Sequence, residues 1–213
     1  WFETMSDVVV LTPDKDLLVD PDELRRQLEN YKDRPLKIGA FTACSNVTGV
    51  GTPYHQLARI MHETGGFVLI YFAASAPYAD INMHPGDPLE KLDAVLFSPH
   101  KFLGGPGSSG LLIFDRSMYK SRTPDQPGGG TVDWTNPWGE YKYVDDIELR
   151  EDGGTPGFMQ AIRTALCIEL KARMVTINIA KREDELLDHA FKGTDKLSGL
   201  TCRATNQRKD LGS

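Results

Sequence analysis

Residues 94–114 have the sequence AVLFSPHKFLGGPGSSGLLIF. Two apolar runs, 94–97 and 110–114, flank a polar segment rich in glycine, and each run has the length and composition of a short buried strand. Only about a dozen residues separate the runs, which is too few for the helical crossover that joins parallel strands. We therefore predict that the two strands pair antiparallel.

Upstream of this pair, apolar runs alternate with helical patterns. Further strands are predicted at 7–11, 36–43 and 67–71. One helix is predicted to begin at Asp20-Pro21, and its apolar face contains Leu24, Leu28 and Tyr31. A second helix is predicted to begin at Thr52-Pro53, and its apolar face contains Leu57, Ile60 and Met61. Residues 67–71 are almost all apolar, which favours a strand covered on both faces. The alternation predicts an α/β fold with a three-layer, helix-covered, mainly parallel sheet.

Residues 116–154 form a long excursion that is rich in Gly, Pro, Trp and acidic residues. A segment of this length without periodicity is usually functional or contact-forming. We expect it to make dimer contacts or to form a lid, because Trp134 and Trp138 suit the core of an interface.

A long helix is predicted to follow Thr155-Pro156, and its apolar face carries Ile162, Leu166, Leu170 and Met174. A polar helical stretch at 181–190 then leads to a predicted strand at 200–204. These patterns divide the chain into a large domain at 1–178 and the beginning of a small α+β domain at 179–213.

Composition excludes several classes of protein. The chain has 213 residues, 24 Lys+Arg against 30 Asp+Glu for a net charge of −6, and 40% hydrophobic residues, which argues against a disordered chain and against a nucleic-acid surface. The most apolar stretch, 67–79, contains Ser75 and Pro77 and is too short to span a bilayer. The first residue is Trp1 and not Met, so we expect a fragment of a longer protein.

Cysteine usage favours a reducing compartment. Cys44, Cys167 and Cys202 are scattered, and none has the spacing of a metal ligand. We expect a cytoplasmic protein, with an organelle as the alternative.

Polar residues follow three of the predicted strands, at 45–49, 71–77 and 98–101. In open α/β sheets the ligand crevice lies beyond the carboxyl ends of the strands, so these segments are expected to lie near one another. Lys101 follows a buried strand directly and precedes a glycine-rich loop, which suits Schiff-base chemistry. Ser98 and His100 are placed to donate hydrogen bonds to an anion. The alternative is a solvated lysine in a turn.

Two glycine patterns raise the alternative of a dinucleotide-binding oxidoreductase. Residues 105–110 match G-x-G-x-x-G by letter, but they precede a strand where the motif should open a helix. Residues 49–54 lie between a strand and a helix, but Tyr54 stands where the third glycine belongs. An NAD(P) site is therefore the weaker alternative.

The segments 45–49, 67–77 and 97–106 occur in an order and at a spacing that resemble the class V aminotransferase family, which includes cysteine desulfurases and selenocysteine lyases. Residues 128–131 and 151–156 are similar to the later glycine-rich loop of that family and to its Gly-Thr-Pro helix start. The resemblance covers most of residues 1–178, and its most specific part is the Ser98-Pro99-His100-Lys101 segment.

This resemblance implies a homodimeric fold-type I enzyme that uses pyridoxal 5'-phosphate (PLP). Its substrate would be a small-molecule amino acid, which it would transaminate or from which it would remove sulfur or selenium. The implied site residues are Lys101 for the Schiff base, Ser98 and His100 for the phosphate, Asn46 for the phenolic oxygen of the ring, and Thr131 for the phosphate bound in the neighbouring subunit.

Tyr71 departs from the family pattern. A carboxylate ends the equivalent strand in the family and keeps the pyridine nitrogen of PLP protonated, whereas this chain has a neutral phenol there and its next acid is Asp80. Ala74 stands where cysteine desulfurases have glutamine. The alternative to an active enzyme is therefore a non-catalytic or impaired fragment or descendant of the same fold.

Overall fold

A computed structural model describes residues 6–14 and 18–194. Its helices are α1 (Pro21–Asn30), α2 (Tyr54–Glu63), α3 (Ile147–Glu151), α4 (Phe158–Met174) and α5 (Thr176–Thr194). Its strands are β1 (Ile38–Thr42), β2 (Phe67–Tyr71), β3 (Ala94–Phe97), β4 (Leu111–Phe114), β5 (Val132–Thr135) and β6 (Tyr141–Tyr143).

The main sheet has the strand order β1-β2-β3-β4. The first three strands are parallel, and β4 is antiparallel to β3. This confirms the antiparallel pair predicted from the short connection and the mainly parallel α/β fold. In the register of the sheet, Thr42 pairs with Tyr71 and Tyr71 pairs with Leu96, so the carboxyl ends of β1, β2 and β3 lie at one edge.

Helices α1 and α2 cover one face of the sheet. The Asp20 carboxylate caps α1 by accepting a hydrogen bond from the backbone N–H of Asp22 at 2.9 Å, as the Asp-Pro start predicts. α1 packs on α2, and α2 packs on β1 and β2. The core residues of this layer are Leu24, Leu28, Leu57, Ile60 and Met61, with Val68 and Ile70 of β2 fully buried in the adjoining cluster.

The opposite face of the sheet is open in the described part of the chain. Ile38, Tyr71 and Leu112 are 47%, 46% and 55% exposed. The prediction that β2 is covered on both faces is therefore wrong for the described residues. An apolar strand sequence shows that its side chains tolerate burial, but the layer that buries them has to come from elsewhere in the chain or from another chain.

Two predicted strands do not appear in the described structure. Residues 7–12 have no regular structure, and Val8, Val9 and Val10 are exposed, so the prediction of a strand at 7–11 is wrong. β-Branched residues favour an extended chain, but a strand also needs a neighbour to pair with. The predicted strand at 200–204 lies outside the described residues.

The long excursion at 116–154 contains structure that its irregular composition did not predict. β5 and β6 form a separate antiparallel hairpin sheet, and α3 follows it. Trp134 and Trp138 of this hairpin are 50% and 83% exposed. Their proposed contact with a dimer partner stays a prediction.

Helix α4 presents a different face to the protein than its apolar pattern predicts. Ile162 and Leu166 are 53% and 60% exposed, whereas Thr164 and Cys167 are buried. The inner face of α4 instead lies against loops and carries Thr164 and Cys167, whose side chains hydrogen-bond to them.

Val175 separates α4 from α5. Its φ of 63° lies in the left-handed region, which is rare for a β-branched residue and interrupts the helical backbone between α4 and α5. α5 continues across the predicted domain boundary at 178/179, and that boundary stays a prediction. No helix within residues 6–14 and 18–194 is both long enough and apolar enough to cross a bilayer.

Candidate functional site

The carboxyl edge of the sheet brings the three polar segments together as the sequence predicts. The backbone N–H of Ala43 donates to the Tyr71 carbonyl at 2.9 Å, and the N–H of Phe72 donates to the Leu96 carbonyl at 2.8 Å. The segments that carry Asn46, Tyr71 and Ser98 therefore leave three adjacent strands at the same edge.

Asn46 lies in a tight turn after β1. The Ser45 hydroxyl accepts hydrogen bonds from the N–H groups of Val47 and Thr48, both at 3.2 Å. Gly49 completes the turn with a φ of +71°, a conformation that a side chain would strain. These hydrogen bonds stabilise the backbone of the turn, and Asn46 is exposed.

Lys101 lies in a helical turn directly after β3. The Lys101 N–H donates to the Ser98 carbonyl at 3.0 Å, and the Phe102 N–H donates to the Pro99 carbonyl at 2.9 Å. Phe102 is 5% exposed and stacks on Phe97, with 5.9 Å between ring centroids. The turn is thus anchored in the core on one side of Lys101, while Lys101 itself is exposed.

Four of the predicted site residues have polar side chains that are free to bind a ligand. Asn46, Ser98, His100 and Lys101 make no side-chain hydrogen bond to another described residue. They supply an amine, a hydroxyl, an imidazole and an amide at one edge of the sheet. This donor set fits PLP, because the amine suits an aldehyde and the other three groups suit a phosphate and a phenolic oxygen.

Tyr71 ends β2 with its side chain 46% exposed. The only acid in residues 71–80 is Asp80, and its carboxylate accepts a hydrogen bond from the Thr176 hydroxyl at 2.7 Å. Asp80 is therefore engaged at the start of α5 and does not replace a carboxylate at the end of β2. The fit to PLP is incomplete at the pyridine nitrogen.

A groove of about 500 Å³ lies between the Lys101 turn and helices α4 and α5. Its walls include His100, Lys101, Leu103, Cys167, Lys171 and Met174. Lys171 was not singled out from the sequence. The signal that would have found it is a second stripe on α4, beside the apolar one, formed by Thr164, Cys167 and Lys171.

Thr131 belongs to a closed loop next to the β5–β6 hairpin. It is fully buried, and its hydroxyl donates to the Gly128 carbonyl at 2.6 Å and accepts from the Gly128 N–H at 3.1 Å. The loop packs against the second glycine-rich segment, where the Gly154 N–H donates to the Gly129 carbonyl at 2.8 Å. The structure thus gives Thr131 a role in closing the loop, and its contact with a neighbouring phosphate stays a prediction.

Arg150 anchors the excursion from within. It is 8% exposed, and its guanidinium donates to the carbonyls of Val144 (2.7 Å), Asp145 (3.1 Å) and Ser121 (3.4 Å). The guanidinium carbon also lies 5.4 Å from the centroid of the Tyr119 ring. One side chain thus joins both ends of the excursion.

Replacing Arg150 with methionine is expected to loosen this excursion at a cost of about 1–3 kcal/mol, because three carbonyls lose their donor. Thermal unfolding and the rate of proteolytic cleavage within 119–151 measure the effect. The matched control is Arg122→Met, since Arg122 is exposed. Equal cleavage rates in the two variants would contradict the anchoring role.

The sequence profile described as Aminotransferase class-V matches residues 3–213. The chain belongs to the class-V aminotransferase family. Among class-V relatives, it is 28% identical to a probable cysteine desulfurase of Halalkalibacterium halodurans over 82% of this chain and 41% of the relative. It is 26% identical to a cysteine desulfurase of Escherichia coli over 94% of this chain and 47% of the relative.

Two solved structures have the same fold as this chain. The apo cysteine desulfurase of Thermococcus onnurineus superposes with a TM-score of 0.75 at 25% identity, covering 88% of this chain and 44% of that one. A NifS-like protein of Rickettsia africae superposes with a TM-score of 0.70 at 19% identity, covering 92% of this chain and 48% of that one, which shows the fold alone. The chain therefore spans less than half the length of these relatives.

Proposed function

We propose that this chain is the PLP-binding part of an enzyme that acts on an amino acid, with Lys101 as the point of covalent attachment. The observation that carries the proposal is the position of Lys101 in the turn directly after β3, at the edge of the sheet where Ser98, His100 and Asn46 also have free polar groups. Bound PLP supplies an electron sink for bonds at the α-carbon of the substrate. Transamination and removal of sulfur or selenium remain the two reaction types, and the relatives named as cysteine desulfurases favour the second.

Each proposed residue does a separate task. The Ser98 hydroxyl and the His100 imidazole donate hydrogen bonds to the phosphate, where charge-assisted bonds are strong. The Asn46 amide donates to the phenolic oxygen of the ring. The Phe97–Phe102 stack holds the turn so that the Lys101 amine keeps its position relative to these donors. We propose a homodimer in the cytoplasm as the working form.

Borohydride trapping tests the proposal. PLP and borohydride are expected to leave a pyridoxyl-phosphate mass on the peptide that contains Lys101, and peptide mass spectrometry measures the fraction labelled. Lys101→Arg keeps the positive charge but should abolish the label, and Lys120→Arg, at an exposed lysine, should leave it unchanged. Label spread evenly over surface lysines would overturn the proposal.

A second candidate is a protein that keeps the fold and the PLP site but has impaired catalysis. Tyr71 favours it, because the residue that ends β2 carries no charge to hold the pyridine nitrogen protonated. This candidate predicts normal labelling of Lys101 together with very slow chemistry at the α-carbon.

A further inference from the structure

The inner face of α4 bonds to the loops at the carboxyl edge of the sheet. Thr164, Cys167 and Lys171 are spaced three and four residues apart, so they lie on one face of the helix. The Thr164 hydroxyl accepts a hydrogen bond from the Ser109 N–H at 3.1 Å, in the loop that follows Lys101. Cys167 is 4% exposed and packs in the same cluster as Phe102.

Lys171 contacts two different segments of the chain from this face. Its ammonium group donates to the carbonyls of Ala76, at 2.7 Å, and Ala79, and lies 5.8 Å from the centroid of the Phe102 ring. Burial lowers the pKa of Lys171, and the nearby Asp80 carboxylate opposes that shift. A half-buried ammonium bound to carbonyls makes strong hydrogen bonds that a neutral side chain cannot replace.

These contacts connect the two loops on which the site depends. The turn at Ala76–Ala79 continues from the end of β2, where the Ala76 N–H donates to the Phe72 carbonyl at 3.0 Å. Phe72 follows Tyr71, and Phe102 follows Lys101. Lys171 therefore links the Ala76–Ala79 turn, which follows β2, to the segment that carries Lys101, through the ring of Phe102.

We propose that Lys171 is a positioning residue that fixes the Lys101 turn relative to the end of β2. It acts through the Ala76 and Ala79 carbonyls and the Phe102 ring and does not contact the reacting atoms. The consequence for chemistry rests on the proposed function. If PLP binds as proposed, Lys171 would set the distance between the Lys101 amine and the position of the PLP ring nitrogen near Tyr71. Sequence similarity alone does not assign this role to a helix residue 70 positions beyond Lys101.

Hydrogen exchange tests this proposal without PLP. In Lys171→Met, the amides of Ala76, Ala79, Phe102 and Gly105 are expected to exchange about ten-fold faster, because loss of charge-assisted hydrogen bonds frees both loops. Lys171→Arg keeps a cationic donor and should exchange near the wild-type rate. The matched control is Lys181→Met, at an exposed lysine of α5.

Two results would overturn the positioning role. One is exchange at the wild-type rate in either loop of Lys171→Met. The other is faster exchange throughout the protein, with the Leu24–Leu28 part of α1 included, since that would show general loss of stability. Circular dichroism and thermal unfolding establish that the variant is folded before exchange is compared.

Borohydride trapping then separates this proposal from the proposed function. If Lys101 of the wild type is labelled, Lys171→Met should show a several-fold lower rate of labelling at saturating PLP and Lys171→Arg should not. If Lys101 of the wild type is not labelled, the proposed function fails, and hydrogen exchange still decides whether Lys171 holds the two loops together.

Discussion

Replacing Tyr71 with aspartate is expected to raise the rate of PLP-dependent proton exchange at the α-carbon of an amino acid by two to three decades. A carboxylate at the end of β2 would keep the pyridine nitrogen protonated, which a neutral phenol does not do. The loss of one oriented electrostatic partner in an active site costs about 3–4 kcal/mol of transition-state stabilisation. Tyr71 is 46% exposed, so the smaller aspartate leaves no buried cavity.

Nuclear magnetic resonance in deuterated water measures this effect, because the α-proton signal of the amino acid disappears as deuterium replaces it. The matched control is Tyr71→Asn, which has the shape of aspartate but no charge and should stay near the wild-type rate. Equal rates for the Asp and Asn variants would show that charge at this position does not limit the chemistry. Labelling of Lys101 by borohydride in each variant shows that PLP is bound in all of them.

Replacing Asp93 with leucine is expected to lower the free energy of unfolding by about 3–5 kcal/mol. Asp93 is 1% exposed, and one of its oxygens accepts hydrogen bonds from the Val68 N–H and from His62 Nε2, both at 2.8 Å. The ammonium group of Lys91 lies 3.0 Å from its other oxygen. Leucine removes the acceptor, so the buried Val68 N–H and the Nε2 of the largely buried His62 ring lose their partner, while His62 Nδ1 keeps the Leu89 carbonyl at 2.7 Å.

Urea unfolding measures this loss, and the double variant His62→Leu/Asp93→Leu is the informative comparison. Its free energy of unfolding should fall less than that of Asp93→Leu alone, because the imidazole nitrogen that lost its acceptor is removed as well. Asp133→Ala is the surface control, since its ion pair with Lys142 is exposed and such pairs contribute about 0–1 kcal/mol. A double variant less stable than Asp93→Leu would contradict this network.

The same carboxylate predicts a pH dependence. Burial alone would raise the pKa of Asp93, but hydrogen bonds from His62, the Val68 N–H and Lys91 outweigh it and hold the pKa below the usual value of 3.8. The stabilising contribution is therefore complete above pH 3.8 and is lost as the pH falls through the lower pKa of the folded protein. The difference in stability between wild type and Asp93→Leu should narrow in that acidic range.

Local sequence determined the strands and helices of the sheet core well. Residues 67–71 and 94–97 are strands with the predicted bounds, and Asp20 caps α1 as predicted. These elements have strong local signals, which are a short apolar run, a capping carboxylate and a proline at the first helical position. The antiparallel β4 also followed from sequence, because a short connection leaves the chain few ways to return.

The candidate site was predictable as a set of segments but not as a set of contacts. Parallel strands place the segments of Asn46, Tyr71 and Ser98 at one edge of the sheet, and this placement does not depend on the contacts of their side chains. Lys171 was missed because its partners are backbone carbonyls about 95 residues away, and a carbonyl has no sequence signature. Thr131 shows the converse, since its motif was recognised while its buried hydroxyl bonds within its own loop.

Local sequence patterns located the four strands of the main sheet, the edge at which the three polar segments meet and the family to which the chain belongs. Tertiary structure alone decided which face of α4 turns inward and which lysine holds the Lys101 turn. Strands and helix caps are predictable because their signals come from neighbouring residues and from the average hydrophobicity of a segment. A helix with an apolar stripe and a polar stripe, by contrast, orients according to what it meets, and here it meets the carbonyls and amides of two loops.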